Sequence, residues 1–302
     1  MREARVTPAL RLSKRELFAR LGYAPHRAQV LVHRSTAPRR TVACGSRWGK
    51  STAAAAEVVA ALMEPRERSL GWVVAPTYSL TDRVFTLACE HVERCFPHHI
   101  AELSSREHRI KVYNLGGGIS EARAKSADNP RSLLGEGLDW LVVDEAAHLD
   151  HEIWEQHLSQ RLIDKQGWAL LVSTPRGWNW FHRLFKRGQR TNAEGFDSWA
   201  FASWDNPHLD LALIEREIAT LPLDACLREY GAIFLRDNHE PCPTCDGPSA
   251  AVDNYFILKR GQTLGRCAEC DEPVNANGRT VVSLRDGRPD LTIIVESESS
   301  AE

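Results

Sequence analysis

"TVACGSRWGKSTAAAAEVVAAL", Thr41–Leu62, decides the fold. It reads as a short β-branched strand at Thr41–Cys44, a glycine-bearing turn, and an alanine-rich helix that meets no breaker until Pro65. Strand, tight turn and helix in that order make a phosphate-binding loop. Backbone N–H groups of the turn point at the ligand, and the helix N-terminus adds positive potential. The usual pattern is G-x-x-x-x-G-K-[ST]. Counted back from Gly49-Lys50-Ser51, the first glycine belongs at position 44, but the residue there is Cys44 and the glycine is Gly45. The expectation is that Gly45 supplies the turn's flexibility one residue late. The nucleotide-facing set is then Gly45, Ser46, Arg47, Trp48, Gly49, Lys50, Ser51 and Thr52. Lys50 reaches the β- and γ-phosphates of ATP, and Ser51 places its hydroxyl on Mg²⁺.

A lone G-K-S is a weak signal and needs a second piece, a strand ending in an acid that holds the metal. "LDWLVVDEAAHL" supplies it: Trp140–Val143 is apolar, and Asp144 and Glu145 follow. Asp144 is expected to face Mg²⁺ and Glu145 to orient or deprotonate the attacking water. The plain alternative is an acidic cap for the next helix. A third strand, "GWALLVSTPRG", ends in Ser173-Thr174-Pro175, small hydroxyls where a γ-phosphate sensor lies. Alone this is only a strand-to-turn signal. Third in this order, it fits a motor ATPase.

Around these pieces, apolar strands alternate with helical runs. Helical spacing is read over 9–36, "DRVFTLACEHVERCF", "HEIWEQHLSQRLID" and "NWFHRLFKRGQ"; "HRIKVYNLGGGISEARA" reads as a hairpin turning at Gly116–Gly118. The expected fold is α/β: a P-loop NTPase of RecA/ASCE type, a parallel sheet flanked by helices.

The chain's 302 residues suit one large domain or two ordinary ones, and 43% hydrophobic content allows a sizeable core. No run of 18 apolar residues occurs, and the N-terminus lacks an apolar signal-peptide core, so the reading is intracellular. Net charge is only −2, yet residues 1–50 hold twelve Lys/Arg against two Asp/Glu. That imbalance suits nucleic acid or a solvated face equally well.

The set "APHRAQ" (24–29), "GSRWGKS" (45–51), "WVVAPTY" (72–78), "LLGEGLDWLVVDEAAHL" (133–149), "STPRGWNWFHRLF" (173–185), "WDNPHLD" (204–210) and "LREYGAIFLRD" (227–237) resembles the large terminase subunit of tailed bacteriophages. The resemblance covers roughly residues 20–237, the ATPase half of that family. It implies an ATP-hydrolysing translocase that packages viral double-stranded DNA into a procapsid in the host bacterial cytoplasm. It implies a homo-oligomeric ring, a pentamer in the family, working with a portal protein and the small terminase subunit. By the same resemblance Gln29 contacts adenine, Arg47 stabilises charge within the subunit, and Thr174 couples hydrolysis to movement. An Arg often precedes the glycine at 135 in the family; here that residue is Leu134, and Arg131 or Arg123 is the substitute acting on a neighbouring subunit. The expected catalytic set is Glu145, Lys50, Arg47, Thr174 and Arg131.

Family members usually continue into an RNase H-like nuclease with clustered aspartates. Only 65 residues follow Asp237, and Asp246, Asp253, Asp271, Asp286 and Asp290 do not sit on apolar strands of a parallel sheet. The expectation is that this chain does not cut DNA, and a separate nuclease protein joins the candidate partners. In its place stands C-x₂-C-x₂₁-C-x₂-C: Cys242, Cys245, Cys267 and Cys270, four thiolates with the spacing of a structural Zn²⁺ site. The expected organisation is a motor domain at 1–237, a zinc-ribbon-like module at 238–290 and an acidic tail at 291–302 with the composition of disorder. Cys44, Cys89, Cys95 and Cys226, with Trp178, Trp180 and Phe181, read as core. Two rivals stand beside the translocase. A helicase-like or remodelling ATPase should carry a second RecA-like lobe, and a non-catalytic DNA or capsid adaptor should have a decayed loop.

Overall fold

The computed structural model describes residues 12–190 and 193–235, and two further strands at 280–285 and 288–293. The N-terminal stretch read as one helical run is two helices, α1 (Lys14–Leu21) and α2 (Arg27–Arg34). Ser13 and Glu16 form a reciprocal capping box at the start of α1, and Gly22 ends it in the left-handed conformation. Strand β1 (Arg39–Cys44) leads through the loop into α3 (Lys50–Met63). Helix α3 buries Ala53–Ala56, Val58, Val59 and Leu62, because small side chains let it lie close against the sheet.

Strand β2 (Arg68–Ala75) and the long α4 (Tyr78–Cys95) follow, then β3 (Ile100–Ser104), β4 (Arg109–Tyr113) and β5 (Ile119–Ser126). The expected hairpin is β4–β5, and Asn114 ties its glycine turn by accepting from Gly116 and Gly118. Next come β6 (Trp140–Asp144), β7 (Trp168–Ser173), α5 (Trp180–Gly188), β8 (Phe196–Phe201), α6 (Leu211–Ile218) and α7 (Leu223–Glu229). The eight strands form one sheet in the order β3-β4-β5-β2-β6-β7-β1-β8. From β5 to β8 every pairing is parallel; β3-β4-β5 is an antiparallel extension. The expected parallel sheet is therefore mixed, parallel only in the part that carries the loop and the carboxylates.

The sheet has a core on each face. One holds α1, α3 and α4 with Val42, Val73 and Val142; the other holds Trp154, Trp180 and Phe181 with Val74, Leu141, Val143 and Leu171. Alternate residues of β6 thus enter opposite cores, and the strand is apolar throughout. Trp180 and Phe181 are buried as expected, whereas Trp178 is 39% exposed. Cys44, Cys89 and Cys226 are buried and Cys95 is half-buried.

Residues 153–162 depart from the regular helix that their spacing suggests. Ile153–Leu158 winds as a π-helix and Ser159–Leu162 as a 3₁₀ turn. The Ser159 hydroxyl and the Gln160 amide both donate to the Glu155 carbonyl and compete with the backbone ladder there. Trp154 meanwhile stacks on Trp180, with ring centroids 5.6 Å apart.

Cys242, Cys245, Cys267 and Cys270, the four cysteines whose spacing suggests a Zn²⁺ site, lie outside the described residues. Beyond them, β9 (Thr280–Arg285) and β10 (Arg288–Ile293) pair antiparallel. Strand β10 runs three residues past the 290/291 boundary set by composition, because Leu291-Thr292-Ile293 has β-forming side chains that the acidic residues after it lack. No helix among the described residues is long and apolar enough to cross a membrane.

Candidate active site

Strand order brings three loops together. Strand β7 lies between β1 and β6, so the loop after β1, the carboxylates ending β6 and the hydroxyls ending β7 share the carboxyl edge of the sheet. Lys50 Nζ lies 3.3 Å from Glu145 Oε1. Ser51 Oγ donates to Asp144 Oδ2 at 3.5 Å. Ser173 and Thr174 hydroxyls both donate to Glu145 Oε2, at 3.3 and 3.4 Å. Glu145 adopts φ 50°, a left-handed turn that aims its own N–H at Asp144 Oδ1 (3.0 Å). Residues read from three separate segments thus meet in one hydrogen-bonded cluster.

The electrostatics follow from burial. Asp144 is 2% exposed; burial, with Glu145 beside it, pushes its carboxyl up to about 6, against the pull of Lys50. Burial opposes the charge on Lys50, but its negative neighbours outweigh it, and the ammonium is held above its ordinary value. Burial drives the Cys44 thiol well up, so it is neutral at physiological pH and the attraction comes from the two carboxylates. Asp144 keeps one oxygen on the Glu145 amide and turns the other to the Ser51 hydroxyl. Two hard oxygen donors so placed fit Mg²⁺, which takes one or two protein oxygens and fills its octahedron with water and phosphate oxygens.

The loop itself differs from the expectation at Gly45. Its φ is not positive; the left-handed residues are Arg47 (φ 62°) and Gly49 (φ 102°). Gly45 is needed for close packing: a Cβ there would sit 2.5 Å from both Ser203 Oγ and the Tyr230 carbonyl. Those neighbours belong to a clamp on the loop backbone. Gly45 N–H donates to the Phe201 carbonyl and Ser46 N–H to that of Glu229. Ser203 Oγ donates to the Ser46 carbonyl, and Asn206 Nδ2 to that of Arg47. Trp48 is buried, stacked on Phe201 with centroids 5.2 Å apart, so it anchors the loop and presents no ring to a ligand.

Gln29 is 4% exposed and turned into this loop. Its Nε2 donates to the Gly49 carbonyl and its Oε1 accepts from His26 N–H, so both ends of the amide are held by protein. Thr52 and Arg47 are exposed at the first turn of α3 and in the loop. Arg123 is pinned between Glu121 and Glu136. Arg131 is exposed on a short 3₁₀ turn (Pro130–Leu133), apart from the cluster.

Sequence reasoning passed over the clamp and one pair at the site's mouth. Arg176 Nη1 donates to His148 Nδ1 at 3.2 Å. Burial lowers the His148 pKa, against the pull of Glu145, and Arg176 lowers it further, which keeps Nδ1 free to accept. "DEAAH" and "STPR" contain both residues, but only the strand order shows that these two turns are neighbours.

Known proteins share this sequence pattern and this fold. The large terminase subunit of Thermus phage G20c is 37% identical over 247 residues, covering 73% of this chain and 50% of its own length. That of Escherichia phage T5 is 29% identical over 230 residues, covering 74% and 51%. The chain therefore spans about half the length of the curated relatives it matches. Among solved structures, the large terminase ATPase domain of Thermus phage P74-26 superposes with a TM-score of 0.67 at 35% identity, covering 75% of this chain and all of that one. A large terminase from a thermophilic bacteriophage, solved in complex with ADP, shares the fold, with a TM-score of 0.59 at 14% identity over 74% and 59% of the two chains. Residues 43–240, about two thirds of the sequence, match the family model described as terminase large subunit, T4-like-virus type, N-terminal; the chain belongs to the large terminase subunit family.

Proposed function

We propose that this chain hydrolyses ATP and uses the energy to drive double-stranded DNA into a viral procapsid. The observation that carries the reading is the cluster of Lys50 and Ser51 from the loop with Asp144 and Glu145 from β6, closed by Ser173 and Thr174. The intact cluster also speaks against a decayed, non-catalytic adaptor. Lys50 neutralises charge on the β- and γ-phosphates and at rest is paired with Glu145. When a triphosphate draws Lys50 away, the Glu145 carboxylate is released to orient water for attack on the γ-phosphorus, and the bond to ADP breaks. Mg²⁺, held by Ser51 and Asp144, would supply charge neutralisation across the phosphates. Thr174 and Ser173 hold the second Glu145 oxygen and sense the change. Arg47 lies in the loop and is the arginine acting within the subunit; Arg131, exposed and distant from its own cluster, is the one offered to a neighbouring subunit in a ring. Arg123, paired with Glu121 and Glu136, is the less favoured candidate for that role.

The wider assignments are proposals of the same kind. They are a portal protein, the small subunit and a separate nuclease as partners, action in the host cytoplasm, adenine recognition by Gln29 after its amide turns outward, and no nuclease activity in residues 238–302. One structural Zn²⁺ on Cys242, Cys245, Cys267 and Cys270 belongs with them. The central test is a pair of variants. Lys50→Ala should abolish ATP binding. Glu145→Gln should retain it and lose about 10²–10⁴-fold in turnover. Parent-like turnover by Glu145→Gln would overturn the mechanism.

A further inference from the structure

Helix α5 carries a concentration of positive charge that the catalytic cluster does not use. From Arg176 to Ala193 the chain holds five Lys/Arg and no Asp/Glu, in a protein whose overall charge is −2. Trp180 and Phe181 bury the inner side of α5, and Leu184 and Phe185 pack against the same core. Arg183, Lys186 and Arg187 follow at i, i+3 and i+4 on one helical face, Arg190 stands two residues past the end of the helix, and all four are exposed. Arg183 meets Glu155 at 3.3 Å, with both side chains more than half exposed. Such a pair is weak in water and yields easily to a stronger anion. The Arg187 guanidinium lies over the Phe196 ring, 3.8 Å from its centroid, and the residue stays exposed.

The same helix is bolted to the catalytic turns. Asn179 caps its first turn through Phe181 N–H and His182 N–H, and donates from Nδ2 to the Ala147 carbonyl at 2.8 Å. Trp180 Nε1 donates to the Leu149 carbonyl at 2.7 Å. Ala147 and Leu149 closely follow Asp144-Glu145, and the turn leading into α5 begins with Ser173 and Thr174, which hold Glu145. A shift of Glu145 during turnover therefore acts on both attachments of α5.

Resting on the translocase reading, we infer that the basic patch of Arg183, Lys186 and Arg187 on α5, with Arg190 just past its end, grips the phosphate backbone of duplex DNA. The argument is charge complementarity: three cations span about 6 Å of one side of α5, at 1.5 Å rise per residue, on a helix with no carboxylate of its own, and Arg190 follows just beyond its end. Backbone contacts of this kind are independent of base sequence, as a motor that moves along any DNA requires.

The test uses the full-length chain and a labelled duplex of about 30 base pairs, roughly three helical turns, with binding followed by fluorescence anisotropy across a salt series. Arg183→Gln/Lys186→Gln/Arg190→Gln is compared with the parent and with a control, Arg106→Gln/Lys165→Gln, which removes exposed cations elsewhere. Each phosphate contact contributes about 0.9 to the slope of log K against log salt, so the triple variant should lose about 2.7 in slope. The control should keep the parent's slope, and both variants should keep the parent's melting temperature and ATP affinity. If the parent binds DNA and the triple variant binds with the same slope, the α5 assignment is wrong and the translocase reading stands. If the parent binds no duplex at all, both fall.

Discussion

Glu57 offers a perturbation whose size can be worked out from its contacts. It is 1% exposed on α3, seven residues beyond Lys50, and it gathers a lysine, an arginine and a histidine. Lys14 of α1 approaches both oxygens at 2.9 and 3.2 Å, His33 Nδ1 of α2 lies 2.6 Å from Oε1, and Arg40 of β1 lies 3.0 Å from Oε2. Burial opposes the charge, but Arg40, His33 and Lys14 together outweigh it and hold the carboxyl far below the usual range. Glu57→Gln keeps the volume, removes the charge, and turns an amide donor toward donors. Arg40, 3% exposed, is left as a buried cation without its counter-charge. Breaking such a pair costs about 3–5 kcal/mol. For a domain of this size that is a fall of about 6–20 °C in Tm. The pH dependence has a definite sign. A carboxyl depressed in the folded state stabilises fully above its unfolded value of about 4.3, and the contribution drains away as pH falls toward the folded value. The gap in stability between parent and variant should be constant from about pH 6 to 8 and narrow only below about pH 4. Denaturant melts at several pH values measure it. A Tm within about 2 °C of the parent, or a gap that ignores acid, would refute the account.

Gly45→Ala should destabilise by about 1–3 kcal/mol through overpacking against Ser203 and Tyr230, read by denaturant midpoint. Asn179→Ala removes both a helix cap and a tether, and should cost about 1–2 kcal/mol with turnover reduced more than ATP affinity. Arg131→Ala should leave the melting curve unchanged and abolish the rise of specific ATPase activity with protein concentration; a parent already flat across dilution would remove Arg131 from the mechanism. Elemental analysis should find about one zinc per chain, and none in Cys267→Ser/Cys270→Ser, as four thiolate ligands imply.

The candidate site is legible in the sequence because buried parallel strands announce themselves. "WLVVD" and "WALLVS" are apolar runs that end abruptly in polar residues, and the abrupt end is the site. The clamp on the loop was not legible. Its bonds at Phe201, Glu229 and Tyr230 use backbone carbonyls, which any residue supplies. Gly45 was read as a flexible position because glycine has two uses, and only the neighbours at Ser203 and Tyr230 tell them apart. Strand β8, "FDSWAF", carries Asp197 and lies at the sheet edge, where weak apolar signal is normal. Residues 153–162 have helical spacing, but spacing says nothing of side chains that compete for one carbonyl.

Ser46 and Glu229 stand about 180 residues apart in sequence, yet a hydrogen bond between them shapes the phosphate loop. The loop is thus synthesised well before the contact that finishes it. At about 5–20 residues per second, its final brace leaves the ribosome about 10–40 s after the loop does. Through that interval the nascent chain has its lysine and serine but not the scaffold that fixes their backbone. Competence to bind nucleotide waits until the segment bearing Glu229 folds back across the loop.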